Sequence, residues 1–112
     1  MTKIVNFREK DDFLKTIVDF SQQEIALAYG HFSSIHPGHI RYLQNAKSFG
    51  SNLFIALRGD KDKAKSEKYI FSMKERSESL ALLNIADLLI SLENDELDEL
   101  VKILKPKVLI LG

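Results

Sequence analysis

Four short apolar runs, Ile25–Tyr29, Leu53–Leu57, Leu88–Ile90 and Val108–Leu111, alternate with stretches whose apolar residues recur at helical spacing. Ile25-Ala26-Leu27-Ala28-Tyr29 and Leu53-Phe54-Ile55-Ala56-Leu57 have no polar position, which suits strands covered on both faces of a parallel sheet. Strands that alternate with helices imply right-handed crossovers and an open parallel sheet with helices on both faces. The fold class expected is therefore α/β.

The helices follow from the same spacing. Phe13, Leu14, Ile17, Val18 and Phe20 recur within 11–21, so residues 1–23 are read as an N-terminal helical extension to an α/β domain over 24–112. That helix either packs over the sheet or mediates self-association. A second helix opens at Gly38-His39, carries Ile40, Leu43, Ala46 and Phe49, and stops at Gly50. Ser72-x-x-Glu75 forms a capping box before a third helix with Leu80, Leu83 and Ala86. Asn94 and Asp95 start a fourth, with Leu97, Leu100, Val101 and Leu104, which Pro106 breaks.

Sixteen basic residues balance sixteen acidic ones, so the charge gives no footing for a nucleic acid or an anionic membrane as partner. With no cysteine there is neither a disulfide framework nor a thiolate metal site. No apolar run approaches a membrane span, and the first ten residues lack the apolar core of a signal peptide. A cytoplasmic location is the default expectation.

Chemistry concentrates where the first apolar run ends, in Gly30-His31-Phe32-Ser33-Ser34-Ile35-His36-Pro37-Gly38-His39. His36 and His39 stand three apart across the mouth of a helix. Two imidazoles and several backbone N–H groups around one point suit a phosphate undergoing substitution. Gly38 admits an anion to the backbone without a Cβ in the way, and Pro37 sets the turn. The competing readings are surface capping or adventitious metal binding by the histidines alone. The other polar concentration, Asp60 to Lys68, carries Lys61, Lys63, Lys65 and Lys68 in one loop.

Gly30-x-Phe32-x-x-x-His36-x-Gly38-His39, followed by Leu43, Ala46 and Gly50, resembles the nucleotidyltransferase superfamily with the HxGH signature, in its cytidylyltransferase-like branch. Within that branch it is similar to glycerol-3-phosphate cytidylyltransferases and to the adenylyltransferase domains of heptose-phosphate activating enzymes. The likeness continues through Leu53–Leu57, Asp60, Glu75-Arg76 and Ile85–Ile90, and reaches Lys105–Gly112. It implies a Rossmann-like sheet and transfer of CMP or AMP from CTP or ATP to a small phosphorylated sugar or polyol, with pyrophosphate leaving. Magnesium would accompany the triphosphate, with no resident metal. A homodimer is a further expectation of the family.

By the same resemblance, His36 and His39 contact the triphosphate and stabilise the transition state. Gly30, Phe32, Ser33 and Gly38 shape the phosphate cradle. Lys68, with Lys65 as its rival, reaches a phosphate, unless the lysines are only solvated surface. Arg76 binds a phosphate of the acceptor or pairs with a glutamate on the helix surface. Asp60 stands at the family's post-strand aspartate.

Two departures bear on activity. Ser33 replaces the aspartate of many members, which removes a carboxylate from the cradle. The late family motif I-S-(S/T)-T-x-x-(R/K) does not occur before Gly112. The expectation is the leading part of a longer polypeptide; the alternative is a non-catalytic nucleotide-binding or docking module.

Overall fold

The computed structural model describes residues 2–30, 32, 37–49, 52–59, 73–93 and 96–111, those at 37–39 and 73 by their backbone alone. Among these, five strands form one sheet: β1 (Lys3–Asn6), β2 (Ile25–Gly30), β3 (Asn52–Leu57), β4 (Leu88–Ser91) and β5 (Val108–Leu111). All pairs are parallel, in the order β1-β4-β3-β2-β5. The helices are α1 (Lys10–Ile17), continued by a 3-10 turn over Val18–Phe20, then α2 (Pro37–Lys47), α3 (Met73–Leu83) and α4 (Leu97–Leu104).

Side chains alternate between two cores. On one face Leu43 and Ala46 of α2 and Leu80 and Ala81 of α3 pack against Ala26, Ala28, Leu53, Ile55, Leu57 and Leu89. On the other, Phe13 of α1 and Leu100 of α4 cover Leu27, Phe54, Ala56, Leu88 and Ile90. A strand with two covered faces is apolar nearly throughout, and β3, polar only at its first residue Asn52, is buried along its whole length. The edge strand β5 is only half covered, so Leu109 and Leu111 stay exposed while Val108 and Ile110 pack inward.

Residues 1–23 do contain the helix that periodicity indicates, and they add an edge strand that it does not. β1 pairs with β4 in register from Lys3↔Leu88 to Asn6↔Ser91. Only Val5 of its four residues is buried, so its sequence carries no apolar run. Thr2 fixes its start, with N–H on the Ala81 carbonyl at 3.2 Å and Oγ1 donating to the Ala86 carbonyl at 2.8 Å. Beyond β1, Phe7 is fully buried and meets Phe13 edge-on at 5.0 Å.

Helix ends differ in detail from the expectations. α3 stops at Leu83 because Asn84 adopts a left-handed conformation (φ 53°), which leaves Ala86 in the connection to β4. Phe49 lies past the end of α2 and is exposed. Lys105 (φ 48°) closes α4 with its N–H on the Val101 carbonyl, and Pro106 follows it. Gly50, Ser72, Asn94 and Asp95 lie outside the described residues.

Asp87 ties the start of β4 to that of β3. Its N–H donates to the Leu53 carbonyl and its Oδ2 accepts from the Leu53 N–H, each at 2.8 Å. The family-like Asp87 thus serves the N-terminal edge of the sheet.

Candidate functional site

From β2 the chain moves to β3 and β4 on one side, whereas β5 returns to the other side of β2. Strand order therefore reverses between β2 and β5. In open parallel sheets the crevice outside the C-terminal ends of such a pair is where ligands bind. The described residues converge on this edge.

β2 ends at Gly30, whose carbonyl accepts the Arg58 N–H at 3.0 Å and so joins the ends of β2 and β3. Phe32 then takes a left-handed backbone conformation (φ 50°) with its side chain buried. A bulky residue there is strained, and such strain persists only where its surroundings over-determine it. The ring folds back on the glycine: a Cβ at Gly30 would lie 3.3 Å from the Phe32 ring. The Gly-x-Phe spacing thus matches a close seat of the ring on the backbone. On its far side Phe32 meets Tyr42 of α2, ring centres 6.3 Å apart.

α2 begins beyond that turn with Pro37 at its first position, where the missing N–H costs nothing. Gly38 and His39 follow in the first turn, whose N–H groups have no partner within a helix. A helix N-terminus carries partial positive charge and favours anions. His36, Ser33 and His31 lie outside the described residues, as do Asp60, Lys65, Lys68 and Gly112.

Two further residues line this edge. Gly59 follows β3, and a Cβ there would meet the Leu92 carbonyl at 2.5 Å, so the backbones leaving β3 and β4 approach too closely for a side chain. Arg76 of α3 is 2% exposed, so it is not a helix-surface residue, and its Nη1 donates to the Arg58 carbonyl at 3.2 Å. It stands behind the end of β3, adjacent to Gly59.

Sequence reasoning did not single out Tyr42. Its hydroxyl donates to the Ile110 carbonyl of β5 at 2.9 Å, and burial pushes its pKa above the ordinary value of 10.0. The signal was its place three residues after His39, but an aromatic on an amphipathic helix reads first as core. A groove of about 500 Å³ lies at the opposite end of the sheet, between α1 and α4. Leu14, Ile17, Phe20, Ile103 and Leu104 line it, and it holds none of the phosphate-directed groups.

The model of the cytidylyltransferase-like family matches residues 27–112. The chain belongs to the cytidylyltransferase-like family. It is 36% identical over 101 residues to the bifunctional protein HldE of Helicobacter pylori, covering 88% of this chain and 22% of that protein. HldE of Sulfurimonas denitrificans is 31% identical over 112 residues, 97% of this chain and 23% of the relative. The chain thus spans less than a quarter of the length of these curated relatives. A lipopolysaccharide core biosynthesis protein from Thermoplasma volcanium has the same fold, with a TM-score of 0.71 and 25% identity over 78% of this chain and 72% of its own. The α/β, Rossmann-like sheet is common to both. Among the described residues no helix is long and apolar enough to cross a membrane.

Proposed function

We propose that this chain handles the phosphates in a nucleotidyl transfer that moves CMP or AMP from CTP or ATP onto a small sugar or polyol phosphate. The observation that carries the reading is the start of α2, with Gly38 and His39 in its first turn, beside the β2/β5 reversal of a cytidylyltransferase-like sheet. The bacterial relatives named HldE and the lipopolysaccharide core biosynthesis protein support a sugar-phosphate acceptor.

In the proposed reaction an acceptor phosphate oxygen attacks the α-phosphorus in line. The bond from that phosphorus to the bridging oxygen breaks, and pyrophosphate leaves with the electron pair. Negative charge grows on the equatorial oxygens and on the bridge, so the work is positioning and charge stabilisation. His36 and His39 donate hydrogen bonds to those oxygens. Gly30, Phe32, Ser33 and Gly38 form the cradle, and the first-turn N–H groups of α2 face the anion. Lys68, or its rival Lys65, meets a phosphate, and Asp60 takes the part of the family's post-strand aspartate. Arg76 holds the Arg58 carbonyl from below and adds positive potential to that end of β3. Magnesium enters bound to the triphosphate as part of the substrate, and no residue is assigned to it.

The test is pyrophosphate release from MgCTP or MgATP in the presence of glycerol 3-phosphate, heptose phosphates and related acceptors. One nucleotide–acceptor pair should turn over, and His39→Ala should lower that rate by about 10²- to 10³-fold, the usual cost of one such donor. Nucleotide binding without pyrophosphate release would favour a non-catalytic module. If neither nucleotide binds, the reading falls.

A further inference from the structure

Tyr42 joins two elements that the sheet ladder does not hold together. α2 is anchored to the sheet through Leu43 and Ala46, which pack over β2 and β3. β5 lies on the other side of β2 and is the strand across the reversal point. The Tyr42 hydroxyl spans this gap to the Ile110 carbonyl at 2.9 Å, while its ring rests on Phe32. Phe32 is in turn seated on Gly30, in a strained backbone conformation. A chain of contacts thus runs from the end of β2 through Phe32 and Tyr42 to β5. Position 39 lies less than one helical turn upstream of Tyr42.

We propose that Tyr42 is a positioning residue: its hydrogen bond to Ile110 locks α2 against β5 and so sets where the His39 end of the helix stands over the crevice. This rests on the nucleotidyl-transfer reading and adds to it a residue that touches no reacting atom. The logic is geometric. A displacement of about 1 Å in a group that contacts the transition state can cost up to 10²-fold in rate. At its far end α2 is pinned by Lys47 Nζ, which donates to the Ile85 carbonyl at 3.1 Å, but a helix start held only by apolar packing would lack a directional contact against such a shift. The phenol supplies one, and its partly desolvated hydroxyl stays protonated, and therefore a donor, throughout the neutral range.

The experiment compares the full chain with its Tyr42→Phe and Thr2→Val variants. Tyr42→Phe keeps the ring on Phe32 and deletes only the hydroxyl. Thr2→Val removes a hydroxyl-to-carbonyl bond of similar length at the N-terminal edge of the sheet, and so reports the effect of a lost hydrogen bond remote from the crevice. Measured quantities are MgATP and MgCTP affinity by calorimetry, histidine ring chemical shifts with and without nucleotide, and the melting temperature. The expected result is a similar small fall in melting temperature for both variants. Only Tyr42→Phe should bind nucleotide more weakly, by about five- to tenfold, with smaller nucleotide-induced shifts of the histidine rings.

If the parent chain binds nucleotide and Tyr42→Phe binds it equally well with unchanged ring shifts, the assignment is wrong while the functional reading stands. If Thr2→Val loses affinity as much as Tyr42→Phe, or if Tyr42→Phe fails to fold, the tyrosine serves general stability and the assignment is likewise overturned. If the parent chain binds neither nucleotide, the functional reading fails and the positioning role falls with it.

Discussion

The Phe32 ring occupies the space directly above Gly30, 3.3 Å from where a Cβ on the glycine would stand. That pair explains why the turn leaving β2 favours a residue without a side chain, two positions before an aromatic. Gly30→Ala should therefore be tolerated in folding but should displace the ring by a few tenths of an ångström. The expected cost is about 1 kcal/mol, at the low end for overpacking a filled site, read as a lower midpoint in urea with an unchanged slope. Nucleotide affinity should fall as well, because the displaced ring leans on Tyr42 of α2. Wild-type affinity in this variant would show that the ring does not shape the cradle.

Gly59 presents the opposite case. There the obstacle is backbone: the Leu92 carbonyl lies 2.5 Å from the added Cβ, and it belongs to the chain leaving β4. Leu92 is held in turn by its N–H on the Leu57 carbonyl at 2.9 Å, so it cannot retreat without breaking that bond. Gly59→Ala should cost more than Gly30→Ala, on the order of 2–3 kcal/mol. Urea titrations of the two variants side by side check the ranking, and the reverse order would refute the close approach at Gly59.

The interior strands were legible because each carries an unbroken run of three or more apolar residues, as a doubly covered strand requires. The first turn of α2 was legible for a related reason, since Pro37 and Gly38 mark a helix start with little ambiguity. β1 was not. Lys3-Ile4-Val5-Asn6 buries one side chain, and what makes it a strand is pairing with Leu88–Ser91, more than eighty residues away. The burial of Arg76 was equally hidden. A charged residue in the first turn of a helix reads as surface, whereas here it is buried with its Nη1 on the Arg58 carbonyl. Tyr42 was not singled out at all, because the partner of its hydroxyl is a backbone carbonyl 68 positions later.

Asp87 separates stability from function. Its carboxylate accepts the Leu53 N–H at the N-terminal edge of the sheet, the end remote from the proposed crevice. Asp87→Ala leaves that N–H without this acceptor and should destabilise the fold by about 1–3 kcal/mol. Asp87→Asn keeps an acceptor oxygen and should lose less than the alanine variant. Neither change should alter nucleotide affinity in the folded protein. Denaturation and calorimetry together decide the matter, and a specific loss of binding in Asp87→Asn would place this residue's influence at the wrong end of the sheet.

Alkaline titration offers a last reading of Tyr42. Burial raises its pKa in the folded protein above the ordinary value of 10.0, so folding favours the neutral phenol. Below pH 10 the phenol is protonated in both folded and unfolded chains, and stability does not depend on it. Above pH 10 the unfolded chain releases the proton first. Stability should then fall with rising pH until the folded-state pKa is passed. The ionised hydroxyl would also lose its bond to the Ile110 carbonyl, since a phenolate has no proton to donate. Urea midpoints of the parent and of Tyr42→Phe, measured from pH 8 upward, should therefore differ by a constant amount up to about pH 10 and converge beyond it. A gap that persists or widens above that pH would mean that the tyrosine is not held as the half-buried donor described here.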